Sequence, residues 1–162
     1  MTDEEVWHDL APDLQRELRE EFAEDFTLRR GERPLIVPPA PAVTWDLAPA
    51  YAVGADRAVA QLVADVLREC TEYWESVIVH DFVHESVLYR PHRVTDAEDA
   101  GDWESVLLPN GDYLVFVAKD HSFGVVGDHV ERSLCFFGVP AVAAARRLNK
   151  GVLTRTLRED IG

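Results

Sequence analysis

Ser76-Val-Ile-Val-His-Asp-Phe-Val-His-Glu-Ser-Val-Leu-Tyr89 is the stretch on which the fold turns. It is rich in β-branched and aromatic residues, the composition of strands. Downstream, Glu104 to Leu108 predicts another strand, and Pro109-Asn110-Gly111-Asp112 carries the Asn-Gly signal of a tight hairpin. Tyr113 to Ala118 is the returning strand. A glycine-punctuated segment, Phe123 to Asp128, then leads to a strand over Arg132 to Phe137. Thr95 to Asp102, acidic and irregular, reads as a solvated loop. Consecutive strands joined by short turns imply an α+β fold, an antiparallel meander with helices packed on it.

Upstream, Ala55 to Trp74 contains neither Gly nor Pro. Ala58, Leu62, Val66, Cys70 and Tyr73 line one face of the helix predicted there. Ala42 to Leu47 reads as a short strand. Pro34, Pro38, Pro39 and Pro41 make residues 27–41 extended. Thr2 and Glu5 fit a capping box that opens a helix. Val6, Leu10, Leu14, Leu18, Phe22 and Phe26 then recur every fourth position, a stripe that drifts slowly around the axis. Pro12 divides this segment into a short helix and a longer one ending near Asp25. At the other end, Pro140 starts a final helix, expected to run over residues 140–160. The whole chain, 1–162, is expected to form one domain.

The chain has 162 residues, a length sufficient to bury a sizeable core. Thirty acidic residues against 16 Lys plus Arg give a formal charge of −14. Phosphate backbones and anionic lipid are bound by Lys and Arg that displace counterions, so nucleic acid and membrane surfaces are not expected partners. Residues 1–25 alone carry ten acids and two arginines. Such a run is either a solvated face or a docking surface for a basic protein. Arg146, Arg147, Lys150, Arg155 and Arg158 make the other end basic, and the two ends are expected to pair or to face solvent. The start, Met1-Thr2-Asp3-Glu4-Glu5, is not that of a signal peptide. No apolar run approaches the roughly 20 residues that span a bilayer. Cys70 and Cys135 are too few for a disulfide framework or a thiolate zinc site. A cytoplasmic protein with two reduced thiols is the expectation.

His80 and His84, flanked by Asp81 and Glu85, have a spacing that clamps a metal when it lies on a helix. On a strand the two lie about 13 Å apart, too far for one ion, so no metal is expected. Asp120-His121 and Asp128-His129 sit beside turns, where Asp commonly caps the backbone. Adjacent strand residues face opposite ways, so neither pair is an acid–base dyad on sequence grounds. Gly111, Gly124, Gly127 and Gly138 read as turn residues. Trp103, beside the acidic loop, is a candidate pocket wall. No nucleophile elbow, phosphate loop or other catalytic motif is present, and no cofactor is implied.

His80-Asp-Phe-Val-His-Glu-Ser-Val-Leu-Tyr-Arg-Pro91, Pro109-Asn-Gly-Asp-Tyr113, Phe123-Gly-Val-Val-Gly-Asp-His-Val-Glu131 and Ser133-Leu-Cys-Phe-Phe-Gly138 together resemble the bacterial family called domain of unknown function 2716. The resemblance runs from about residue 40 to 145. The family's "PDGDY" turn is present as Pro109 to Tyr113. Its "GTFGHPWE" run has become Gly124 to Glu131, without the Pro and Trp. A binding surface built on that Trp is therefore altered here. The resemblance implies a fold and a soluble bacterial origin, and no activity. It directs attention to His84, Tyr89, Asp112, Gly124, Gly127 and Glu131.

Two functions follow as expectations. The first is a non-catalytic, immunity-like or accessory domain that binds a basic protein partner through its acidic N-terminal segment. The second is a small enzyme or small-molecule-binding domain with a polar pocket on the sheet. His80, His84, Tyr89, Trp103, Asp112 and Glu131 would form that pocket. The weaker positive signal for catalysis favours the first.

Overall fold

The computed structural model describes residues 6–32, 34–81, 85–93, 107–109 and 112–161. Within these, Trp7–Asp9 (β1) is followed by a helix, Pro12–Asp25 (α1), and a small hairpin of Thr27–Leu28 (β2) and Ile36–Val37 (β3). Next come Ala42–Asp46 (β4), Ala48–Ala52 (α2), Asp56–Glu69 (α3), Val77–Asp81 (β5) and Val87–Tyr89 (β6). Leu114–Val117 (β7), Gly124–Asp128 (β8) and Ser133–Phe137 (β9) complete the meander, and Val139–Leu148 (α4) and Thr156–Asp160 (β10) follow. The main sheet runs β1-β6-β5-β7-β8-β9-β4-β10, and every pairing in it is antiparallel. The α+β meander covered by N-terminal, central and C-terminal helices is thus the observed architecture.

Strand alternation divides the core between the two faces of the sheet. Val77, Val79, Phe116, Val125, Leu134, Phe136 and Val43 point to the side covered by α3 and α4. Ile78, Val115, Val117, Val126, Cys135 and Phe137 point to the side covered by α1, whose Phe22 and Phe26 pack there with Ile36 of β3. The α3 face is wider than the predicted stripe. Val59, Ala60, Leu62, Val63, Ala64, Val66 and Leu67 are all buried, whereas Ala58 and Tyr73 are exposed and the helix stops at Glu69.

Four expectations are corrected. The capping box Thr2–Glu5 lies outside the described residues, and the chain after it forms β1, not a helix. Trp7 packs on Tyr89 with ring centroids 4.6 Å apart and planes tilted by 34°, and that packing outweighs helix periodicity. The helix starts instead at Pro12, which fits its first turn. Gly124 and Gly127 lie in β8, not in turns. A Cβ on Gly124 would stand 2.2 Å from the Phe116 carbonyl oxygen, and one on Gly127 would stand 3.0 Å from the Pro109 ring. Glycine here admits close neighbours to a strand. The last segment is not a helix to residue 160. The Asn149 side chain accepts from the Leu153 N–H and donates to the Leu153 carbonyl, and Gly151 at φ +83° turns the chain back onto β4. Lastly, Leu107 and Leu108 are buried but lie in a turn, while the remainder of the strand expected over 104–108 lies outside the described residues.

Candidate functional site

The α1 face of the sheet carries buried polar groups at two places. The first is beneath α1 itself. His80 on β5 is 2 % exposed, and its Nδ1 lies 2.9 Å from Ser86 Oγ. Arg19 Nε donates to the same oxygen at 2.8 Å, and the Ser86 N–H donates to Gln15 Oε1. Phe22 lies over the His80 imidazole at 4.9 Å between centroids. Its Nε2 has no hydrogen-bond partner. Burial, then the charges of Arg19 and His121, lower the imidazole pKa to about 4, so His80 is neutral at physiological pH. At the end of α1, His121 Nδ1 meets Asp25 Oδ2 at 2.7 Å and the Phe26 ring at 5.4 Å. These contacts seat the helix.

The second place is a cavity of about 100 Å³ at the β4–β10 side of the sheet, roofed by the β2–β3 hairpin. Register lays its floor. Val126, Cys135, Thr44 and Arg158 stand directly opposite one another on β8, β9, β4 and β10. In the adjoining row Asp128 faces Ser133. Asp128, Ser133 and Thr44 are each less than 5 % exposed. Asp128 Oδ1 accepts the N–H groups of Val130 and Glu131 and shapes the β8–β9 turn, as expected of an Asp beside a turn. Its Oδ2 is buried and has no hydrogen-bond partner. Glu131 takes Arg158 in a two-pronged pair, Nη1 to Oε2 at 3.1 Å and Nη2 to Oε1 at 2.7 Å. Burial pushes the Cys135 thiol up to about 11 and keeps it protonated at neutral pH.

The predicted site residues separate. His84 and Trp103 lie outside the described residues. His80 lies under α1. Tyr89 is fully buried on the opposite face of the sheet, among the α3 side chains, where desolvation raises its phenol pKa. Asp112 precedes β7, its carboxylate accepting the Tyr113 N–H. Glu131 does not line the cavity but holds the arginine that does. His80, Tyr89, Asp112 and Glu131 therefore do not share one concavity. Ser133 and Thr44 are site residues that sequence reasoning missed, and Asp128 was read there only as a residue beside a turn. Their meeting depends on strand register, which no local pattern displays.

Among the described residues no helix is long and apolar enough to cross a membrane, and none of their His, Cys, Asp and Glu side chains gather in threes to hold a metal ion. A family model described as "Protein of unknown function (DUF2716)" matches residues 9–142. The uncharacterized protein YxiI of Bacillus subtilis (strain 168) is 33 % identical over 58 residues. That match covers 36 % of this chain and 36 % of the relative, so the chain spans about a third of the relative's length. No solved structure matches.

Proposed function

The chain belongs to the DUF2716 family of proteins of unknown function, and from that premise we propose that it is a non-catalytic protein-binding domain whose partner is basic. The observation that carries this reading is the outer face of α1. Asp13, Glu17, Glu20, Glu21 and Glu24 are all exposed, at spacings of three and four that align them along one side of the helix. The arginines near the other end of the chain are engaged elsewhere. Arg146 pairs with Glu159, Arg147 with Glu69, Arg155 with Asp46 and Arg158 with Glu131. Within the ridge Asp13 pairs with Arg16 at 3.3 Å; the four glutamates face solvent, and their field would steer a cationic protein and make association salt-sensitive. Phe22, Phe26, Gln15 and Arg19 fix the helix before any encounter, which lowers the ordering cost of binding. An immunity-like or accessory role is the biological form this takes.

The test is affinity capture from the native lysate with the wild-type protein and with a Glu17→Lys/Glu21→Lys/Glu24→Lys variant. A stoichiometric basic protein, held at low salt, weakened at high salt and lost by the variant, supports the proposal. Equal retention by both baits, or no retained protein at all, would sink it.

A further inference from the structure

Where the β5–β7 ladder ends, the two chains part and leave a groove of about 460 Å³ between the α3–β5 connection and the β7–β8 turn. The pairing stops at Ile78 opposite Val117, and just beyond it Val77, Ala118 and Phe123 give the groove its buried, apolar part. Trp74, Glu75 and Ser76 line one side, and Lys119, Asp120 and Ser122 line the other. Both sides are held before any ligand arrives. Glu75 Oε1 accepts the Glu72 N–H at 2.7 Å, and the Glu75 N–H donates to the Glu72 carbonyl at 3.0 Å. Asp120 Oδ1 accepts the Ser122 hydroxyl at 2.6 Å and the Ser122 N–H at 3.1 Å, which holds the carboxyl below its ordinary range. Each carboxylate keeps a second oxygen bonded to nothing, on a residue exposed to solvent. The Lys119 ammonium, the Ser76 hydroxyl and the Trp74 indole likewise have no hydrogen-bond, ionic or ring partner among the described residues. Trp74 is 73 % exposed, so a large flat apolar surface stands beside uncommitted donors and acceptors.

This lining disfavours charge of either sign. An anion would meet Glu75 and Asp120, and a cation would meet Lys119. A neutral ligand that both donates and accepts hydrogen bonds, and that has one flat apolar side, offends none of these groups. We propose that the groove binds a pyranose sugar ring. The ring's C–H groups lie on the electron-rich face of the Trp74 indole. Its hydroxyls donate to the free oxygens of Glu75 and Asp120 and accept from Lys119, hydrogen bonds strengthened by the charge on the protein side. The volume falls in the range of small-molecule sites, roughly 300 to 1,000 Å³, and leaves room for a second ring. A free monosaccharide and the terminal ring of a glycan present the same chemistry.

The probes are the methyl β-glycosides of glucose, galactose, mannose and N-acetylglucosamine, titrated into the ¹⁵N-labelled full chain. The Trp74 indole N–H and the amides of Ser76, Lys119 and Ser122 are followed by NMR. Saturable shifts in the millimolar range with at least one glycoside are expected. Three controls each lack one part of the chemistry: glucitol has the hydroxyls without the ring, cyclohexanol the ring without the hydroxyls, and glucuronate adds a negative charge. Each should bind about tenfold more weakly or not at all. Trp74→Ala should abolish the amide shifts, and Lys119→Met should weaken binding about tenfold. Both side chains are exposed and bonded to nothing, so neither change threatens the fold. Cellobiose and chitobiose form the glycan arm. A disaccharide that binds where no monosaccharide does supports the site and assigns it to the end of a glycan chain. No saturable shift with any sugar, any control binding as well as the best glycoside, or both variants binding like wild type overturns the proposal. The Glu17→Lys/Glu21→Lys/Glu24→Lys variant should bind sugar like wild type, so this groove and the α1 ridge stand or fall separately.

Discussion

At the scale of single residues, His80 gives the fold an acid-sensitive point. Its folded pKa of about 4 lies below the 6.5 of a free imidazole. Above pH 6.5 both folded and unfolded chains keep the ring neutral, and stability is unaffected. As the pH falls from 6.5 towards 4 the unfolded chain takes the proton first, and stability drops by at most about 3 kcal/mol. Urea unfolding at pH 7, 5.5 and 4.5 should show this fall, and His80→Gln should flatten it even if its stability at pH 7 is lower. An equally steep fall in the variant would place the acid response elsewhere. Gly124 is the sharpest steric point. A methyl group there meets the Phe116 carbonyl at 2.2 Å and the Phe137 ring at 2.7 Å, and the carbonyl cannot withdraw from a paired strand. Gly124→Ala should cost about 3 kcal/mol or more in urea unfolding, and a loss under about 1 kcal/mol would show that β8 is more yielding than its packing indicates.

Among the elements, α1 depends on few contacts. Phe22 is its one fully enclosed helical side chain, stacked on Phe26 at 4.3 Å and lying over His80. Phe22→Ala should destabilise by about 3 to 4 kcal/mol. Hydrogen exchange should also find α1 amides opening at lower free energy than those of α3; equal protection would mean that the two helices unfold as one unit. The start and end of α1 were legible because Pro12 and the acidic turn at Asp25 mark them. Its stripe was legible only in part: steps of four rotate steadily around a helix, so Leu14 is 44 % exposed while Phe22 is buried. β8 was hidden by its glycines, which read locally as turns and act as clearance for Phe137 and Pro109. β10 was hidden because Thr156–Asp160 is exposed throughout and shows no apolar alternation. Its strand character comes from pairing with β4, a tertiary cause. The turn role of Asp128 was readable from its place beside a glycine. The cavity that Asp128 helps to line was not, since segments far apart in the sequence build it.

For the whole molecule, a formal charge of −14 works against compactness, because like charges are brought closer on folding. Raising NaCl from 10 to 200 mM should lift the thermal midpoint by a few degrees through screening, and a midpoint that falls over that range would show that ion pairs such as Arg158–Glu131 outweigh the repulsion. The strand order has a consequence in time. β4 leaves the ribosome well before its two neighbours in the sheet, β9 and β10: Trp45 faces Leu134 on one side and Thr156 on the other. Until then its main-chain groups have no native strand to meet. The nascent chain therefore carries an open, apolar edge until those strands emerge, and loop closure over so long a span is slow. Premature release or truncation before β9 would leave that edge free to pair with other chains, so the protein's exposure to aggregation is set less by its finished surface than by the order in which its parts are delivered.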